Sequence, residues 1–170
     1  MVILLSDRRN KCEAEIIEIL KKYGARCISD KYVIDGKTGL TILSLYKNSD
    51  IQIDKGVVVF LDNGARFIKQ KLPVGIVGIC EENNQSALDI LKRNKIEAVC
   101  CGMGSKNSIT LSSIGSNQLF TCLQRGLQSS SGEIIEQGEF KIKLTKNYKP
   151  FSVMASTAIL LLEGITPISF

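Results

Sequence analysis

Residues 88–101, LDILKRNKIEAVCC, contain the pattern that decides the fold. Apolar side chains recur at helical spacing up to Leu91, and a short apolar strand ends the stretch at Cys101. Asn94 lies between them and, like Gly, tolerates the left-handed conformation that often ends a helix. Residues 74–79 form a further apolar segment before the helix. The stretch therefore predicts a strand–helix–strand unit with two parallel strands in one sheet.

A second unit of the same kind is predicted near the N-terminus. Residues 17–28, IEILKKYGARCI, repeat the pattern with Gly24 in the place of the asparagine, and residues 2–5 supply the preceding strand. Between the two units, residues 57–61 form a strand that is apolar at every position. A strand that is apolar on both faces belongs in the interior of a sheet.

The last third of the chain has a different pattern. Residues 108–114 and 118–124 alternate around a turn and predict a β-hairpin, and residues 139–144 predict one more strand. Residues 152–162 are apolar nearly all round, which is typical of a buried helix. We therefore expect a single α/β domain over residues 1–170. Its sheet should be mostly parallel, built of strand–helix–strand units flanked by helices, with an added β-hairpin and a buried C-terminal helix.

Composition excludes several classes of function. The chain has 170 residues, 44% of them hydrophobic, and a net charge of +5. The basic residues are mixed with acidic ones and form no basic run, so we expect no nucleic-acid partner. No apolar run is long enough to span a membrane, and the N-terminus has no secretion-signal pattern, so we expect a cytoplasmic protein with six reduced cysteines. There is no histidine and no Cys-x-x-Cys pair, so we expect no metal site.

Polar residues follow several of the predicted strands. The carboxyl ends of parallel strands meet at one edge of a sheet, where open α/β sheets bind ligands. The loop at residues 102–107 could hold an anion there through Lys106 and backbone N–H groups, or it could simply connect two strands. The candidate ligand-binding residues at this edge are Ser6, Asp7, Arg8, Asp62, Asn63, Gly64, Gly102, Gly104, Ser105 and Lys106.

The segment Gly36-Lys37-Thr38 invites comparison with a phosphate-binding loop. That loop requires an earlier glycine and a helix immediately after the Thr. Here position 31 is Lys31, and the residues after Thr38 have the composition of a strand. The sequence therefore favours a turn at residues 35–39.

Thiols and carboxylates offer alternative chemistries. Cys80 ends a predicted strand before a helix and is a candidate nucleophile, whereas Glu81 and Glu82 form a candidate acid–base pair. The same acidic residues are also favoured at a helix N-terminus for electrostatic reasons alone. Cys100 and Cys101 are candidates for redox chemistry, with one side chain directed to the core and the other half exposed.

Residues 74–167 resemble the end of the central domain of the Mur ligases, the ATP-dependent amino-acid ligases of peptidoglycan precursor synthesis. The resemblance lies in the order of the segments and in a final small-residue helix that stops at a Leu-Gly-Ile type sequence. The segments that carry it are Cys80-Glu81-Glu82-Asn83-Asn84, the strand end Val99-Cys100-Cys101-Gly102, the hairpin, residues 140–144, and residues 151–165. The resemblance implies a nucleotide such as ATP, or a UDP-sugar precursor, as the ligand.

Three departures from the family limit what the resemblance implies. The phosphate loop is reduced to a Gly-Lys-Thr core, residues 149–152 read KPFS where the family has His-Asn, and we expect no counterpart of the family's C-terminal domain. We therefore expect a non-catalytic Mur-ligase-like domain that binds a nucleotide or UDP-sugar, or acts through a protein partner. A small enzyme that uses Cys80 or the pair Glu81 and Glu82 is one alternative. A structural subunit that forms a homodimer is another.

Overall fold

The structure, a computed structural model, describes residues 1–6, 10–46, 51–62, 72–114 and 118–170. The helices in these residues are α1 (Lys11–Lys22), α2 (Gln85–Asn94) and α3 (Pro150–Leu162). The strands are β1 (Val2–Leu5), β2 (Arg26–Ile28), β3 (Val33–Ile34), β4 (Thr41–Leu45), β5 (Gly56–Phe60), β6 (Ile76–Glu81), β7 (Glu97–Cys101), β8 (Ile109–Ile114), β9 (Gln118–Leu123), β10 (Leu127–Gln128), β11 (Ile134–Ile135) and β12 (Gly138–Lys143).

Ten of these strands form one sheet in the order β12-β9-β8-β7-β6-β5-β1-β4-β2-β3. The centre of the sheet is parallel, from β2 through β4, β1, β5 and β6 to β7. Antiparallel pairs occur at the two edges, where β8, β9 and β12 follow one another and β3 pairs with β2. The predicted α/β fold with a mostly parallel sheet is confirmed.

Helices cover both faces of this sheet. Alternate residues of a strand point to opposite faces, and β1 supplies both cores. Val2 and Leu4 lie in the core with α1 and α3, whereas Ile3 and Leu5 lie in the core with α2. Both predicted strand–helix–strand units are present, and their helices lie on opposite faces.

The path of the chain creates a switch point beside β1. From β1 the chain passes through α1 to β2, β3 and β4 on one side, and it then returns to β5 on the other side of β1. From β5 it continues away from β1 to β6, α2 and β7. The carboxyl ends of β1 and β5 therefore border the place where open α/β sheets bind ligands.

The predicted hairpin is formed by β8 and β9, with a register shift between Leu111 and Ser113. Strand β8 pairs with β7 only through Ile109 and Cys101. It therefore begins where β7 ends and extends the sheet beyond the carboxyl edge of the parallel strands. The predicted turn at residues 115–117 lies outside the described residues.

Helix α3 is buried, as predicted. Every residue of the helix from Phe151 to Leu162 is buried, and the helix packs against α1 and the sheet. Its polar residues Ser152, Ser156 and Thr157 are buried as well. None of the helices in the described part of the chain is both long enough and apolar enough to cross a membrane.

The two predicted helix ends differ in detail. Gly24, just beyond α1, has a φ of 79°, as the left-handed end of a helix requires. After α2 the left-handed residue is Lys95, with a φ of 56°, and not Asn94 as the sequence predicted. Asn94 stays in the helix because its side chain bridges two backbone groups: it donates to the Ile90 carbonyl and accepts from the Leu72 N–H.

Candidate functional site

Hydrogen bonds connect the ends of β1 and β5 at the switch point. The Ser6 hydroxyl donates to Asp62 Oδ2 at 2.7 Å, and Asn10 Nδ2 donates to Ser6 Oγ at 3.1 Å. From the other side, Asn84 Nδ2 donates to the Asp62 carbonyl at 2.8 Å. We refer to Ser6, Asn10, Asp62 and Asn84 as the switch-point cluster. It fixes the loops after β1, β5 and β6 relative to one another.

The two asparagines of this cluster have the same double role. Asn10 is the N-cap of α1, where its Oδ1 accepts from the Glu13 N–H at 2.9 Å. Asn84 is the N-cap of α2, where its Oδ1 accepts from the Ala87 N–H at 3.0 Å. Each side chain caps a helix with its oxygen and reaches a strand end with its nitrogen. Helices on opposite faces of the sheet are thus anchored to the same edge.

A buried carboxylate lies near the cluster. Glu13, in the first turn of α1, is 4% exposed, and its Oε1 accepts a hydrogen bond from the Tyr46 hydroxyl. Tyr46 follows β4 directly, so this contact adds a fourth strand end to the same edge. A buried carboxylate with a hydroxyl donor is a satisfied acceptor, and the pair fixes the position of α1 on the sheet.

The loop after β7 donates hydrogen bonds to the exposed side chain of Glu82, the residue after β6. Asn107 Nδ2 donates to Glu82 Oε2, and the Met103 N–H donates to Glu82 Oε1 at 3.3 Å. These hydrogen bonds, that of Asn107 above all, lower the pKa of Glu82. A Cβ on Gly102 would lie 2.3 Å from Glu82 Cδ, so a larger residue at this position would require the Glu82 side chain to move. The loop therefore donates these hydrogen bonds to a carboxylate of the chain itself.

This contact bears on the candidate acid–base pair. Glu82 is held as an ionised hydrogen-bond acceptor, whereas a general acid must be able to carry a proton near neutral pH. The neighbouring Glu81 is the last residue of β6 and is exposed. The arrangement therefore does not favour Glu82 as the acid of the pair, and acid–base chemistry by Glu81 and Glu82 stays a prediction.

The structure brings together only part of the predicted site. Ser6 and Asp62 are in contact, and Gly102, Gly104, Ser105 and Lys106 belong to the loop after β7 at the same edge. The other predicted residues, Asp7, Arg8, Asn63 and Gly64, lie outside the described residues. Ligand binding by these residues stays a prediction.

Sequence reasoning did not name Asn10, Asn84 or Asn107 as candidate site residues. For the first of them a signal was present: an asparagine three residues before Glu13, at the start of an amphipathic segment, has the spacing of a capping box. Asn84 precedes α2 in the same way, although Ala87 stands at the corresponding position. No local signal pointed to Asn107, because its partner Glu82 lies 25 residues away in the chain.

The Gly36-Lys37-Thr38 segment lies before β4, and therefore at the amino edge, opposite the switch point. The backbone N–H groups of Lys37 and Thr38 both donate to the Gly24 carbonyl, at 2.8 and 3.1 Å. A Cβ on Gly36 would lie 2.5 Å from that same carbonyl oxygen. These N–H groups bind the end of α1, and a strand follows them. The structure agrees with the predicted turn and differs from a phosphate loop.

Three of the six free cysteines lie side by side on β6 and β7. Cys80 is fully buried, and its hydrogen bond to Cys100 together with burial strongly raises its pKa. Burial raises the pKa of Cys101 as well. Cys100 is half-buried, and the hydrogen bond from Cys80 lowers its pKa to about 7. The geometry therefore favours Cys100 over Cys80 as the reactive thiol.

A cavity of about 640 Å³ lies at the amino edge of the sheet, opposite the switch point. Its walls come from the starts of the central parallel strands, the ends of α2 and α3, and residues 128–132. Charges of both signs line it, including Lys55, Lys95 and Glu97. Within the described residues, no group of three or more Cys, Asp or Glu side chains could hold a metal ion.

Comparison with known proteins identifies a similar fold. No family model and no curated protein sequence matches the chain. The structure is similar to the crystal structure of UDP-N-acetylmuramate:L-alanyl-gamma-D-glutamyl-meso-diaminopimelate ligase from Neisseria meningitides, with a TM-score of 0.59 and 9% sequence identity. The match covers 98% of this chain and 62% of the ligase chain. At this identity the similarity shows the fold alone, which is Mur-ligase-like.

Proposed function

We propose that this chain is a non-catalytic α/β domain of the Mur-ligase type that binds a UDP-sugar precursor of peptidoglycan, or a related nucleotide, at the carboxyl edge of its sheet. The observation that carries the proposal is the junction of Ser6, Asp62 and Asn84, where three parallel strands end at the switch point. Open α/β sheets bind nucleotides at such a junction.

The choice of ligand is supported by fold and chemistry together. The structurally similar ligase acts, by its name, on UDP-N-acetylmuramate, and its fold matches nearly the whole of this chain. A UDP-sugar combines a diphosphate with hydroxyl-rich rings. Lys106 is an exposed cation at the same edge, and the carboxylate of Asp62 is an acceptor suited to a sugar hydroxyl.

Two observations on the described residues support the non-catalytic part of the proposal. The segment most like a phosphate loop lies at the wrong edge, where its N–H groups donate to Gly24. At the carboxyl edge, the Asn107 side chain and the Met103 N–H already donate to Glu82, the carboxylate that follows β6. A transferring phosphoryl group needs several donors that are free to receive it.

Isothermal titration calorimetry with UDP-N-acetylmuramate, UDP and ATP would test the proposal. We expect binding of the UDP-sugar, weaker binding of UDP, and no turnover of ATP to ADP. Replacing the cation, Lys106→Ala, should weaken binding about three- to tenfold, or about 0.7 to 1.4 kcal/mol. The matched control is Lys92→Ala, an exposed lysine in the last turn of α2, near the opposite edge. Absence of binding at millimolar UDP-sugar, or equal losses in both variants, would contradict the proposal.

A further inference from the structure

Two cysteines from different parts of the sequence meet on the sheet. Cys80 of β6 and Cys100 of β7 are directly paired residues of neighbouring parallel strands. Such strands lie about 4.8 Å apart, which falls within the Cα–Cα range of about 4.4–6.8 Å found for disulfides. Both side chains lie on the α2 face, where Cys80 belongs to the core and Cys100 packs against it.

The two thiols lie at paired positions and differ in their exposure to solvent. The Cys80 thiol is fully buried, whereas the Cys100 thiol, at the paired position of the neighbouring strand, is half-buried. Cys101, the next residue, points to the other face and lies in the core with α1 and α3. An accessible thiol with a buried thiol beside it is the arrangement of an attacking and a resolving cysteine.

The surroundings of Cys100 favour its thiolate. The hydrogen bond from Cys80 lowers the pKa of Cys100 to about 7, against the opposing effect of burial. The guanidinium of Arg125 acts in the same direction, and the carboxylate of Glu82 opposes it. A thiolate is the form that attacks peroxides and disulfides.

We propose that Cys80 and Cys100 form a thiol pair that hydroperoxides oxidise to a disulfide. The Cys100 thiolate attacks hydrogen peroxide, so that an S–O bond forms, the O–O bond breaks, and the leaving hydroxide takes a proton to become water. The Cys80 thiol then attacks the sulfenic sulfur, the S–S bond forms, and the S–O bond breaks. The proton from Cys80 leaves with the departing oxygen as a second water. Two thiols are oxidised and one peroxide is reduced to two waters.

This inference does not depend on the proposed ligand. The proposed ligand contacts are Ser6, Asp62 and Lys106, whereas the disulfide would join the penultimate residues of β6 and β7 on the α2 face. Neither the resemblance to a ligase fold nor nucleotide binding requires paired cysteines. Failure of either proposal would leave the other unaffected.

Peptide mapping of the oxidised full-length chain tests the proposal. The folded protein is treated with equimolar hydrogen peroxide, blocked with N-ethylmaleimide, digested, and examined by tandem mass spectrometry. We expect a linked pair of peptides joined through Cys80 and Cys100. The link should persist in Cys101→Ala and disappear in Cys100→Ala, although both residues lie in the same tryptic peptide. In Cys80→Ser, oxidation should stop at a sulfenic acid that dimedone traps on Cys100.

A second measurement needs no variant, and therefore does not depend on how the variants fold. Iodoacetamide at pH 7 should modify Cys100 at least about tenfold faster than Cys122, because a lowered pKa gives a larger thiolate fraction. Cys122 is also half-buried, but burial raises its pKa. Equal rates at the two residues, a link through Cys101, or no linked peptide after oxidation would overturn the proposal.

Discussion

The carboxylate of Glu15 on α1 accepts a hydrogen bond from the backbone N–H of Lys149, 2.9 Å away, where α3 begins. Lys149 is the N-cap of α3, and its own side chain makes no capping hydrogen bond. The cap therefore comes from another helix, 134 residues earlier in the chain. A carboxylate at a helix N-terminus also interacts favourably with the helix dipole. Glu15, only 3% exposed, thus fixes the buried helix against α1.

Removing this carboxylate should destabilise the fold. We expect Glu15→Ala to lower the free energy of unfolding by about 1–2 kcal/mol, since a cap is lost and a backbone N–H is left unpaired. Urea denaturation followed by circular dichroism would measure it. The control is Lys11→Ala, which removes only the partly exposed ion pair between Lys11 and Glu15 and should cost less than about 0.5 kcal/mol. Equal losses of stability in the two variants would show that Glu15 stabilises the fold through the ion pair and not through the cap.

Two glycines of one turn should respond differently to the same substitution. A Cβ on Gly36 would lie 2.3 Å from the Arg26 backbone nitrogen, whereas a Cβ on Gly39 would meet nothing within 4 Å. We therefore expect Gly36→Ala to cost about 1–3 kcal/mol in stability, as overpacking does. Gly39→Ala should stay within about 0.5 kcal/mol of the unsubstituted protein. Thermal denaturation of both variants tests this, and a neutral Gly36→Ala would contradict the close contact with the end of α1.

The double role of Asn84 can be separated by substitution. Asn84→Ala removes both the α2 cap and the link to Asp62, so we expect a loss of about 1–2 kcal/mol. Asn84→Asp keeps an acceptor for the Ala87 N–H but loses the donor to the Asp62 carbonyl. It should therefore lose less stability than Asn84→Ala. The exposed neighbour Asn83 offers a control, because Asn83→Ala should change little. If Asn84→Asp were as stable as the unsubstituted protein, the link to Asp62 would contribute nothing to stability.

Local patterns were sufficient for most of the fold. The helical periodicity of α1 and α2, the alternation in β8 and β9, and the apolar α3 each predict their element from adjacent residues. The burial of Glu13 and Glu15 could not be predicted in this way. Their hydrogen-bond donors are Tyr46 and Lys149, which are distant in the sequence. The choice of Lys95 over Asn94 as the left-handed residue likewise follows from a contact with Leu72.

The site was predicted less completely than the fold, for a related reason. Ser6 and Asp62 could be identified because each directly follows a predicted strand, and strand order brings such residues to one edge. The thiol pair could not be identified, because the pairing of Cys80 with Cys100 depends on the register between β6 and β7. The sequence shows only that Cys100 and Cys101 are adjacent, and their side chains point to opposite faces.

The contact between Glu82 and the loop after β7 should make stability depend on pH. The pKa of Glu82 lies below its ordinary value of 4.5, so the folded state favours the ionised carboxylate. This contribution is fully present above pH 4.5 and is lost as the pH falls through the lowered pKa. We therefore expect Glu82→Gln to be less stable than the unsubstituted protein at pH 7, with a difference that narrows as the pH falls below 4.5. Urea denaturation across this range measures the difference.

Glu81→Gln is the control, since within the described residues the Glu81 carboxylate makes no hydrogen bond. A difference for Glu82→Gln that stays constant with pH would mean that its carboxylate charge has no part in holding the loop.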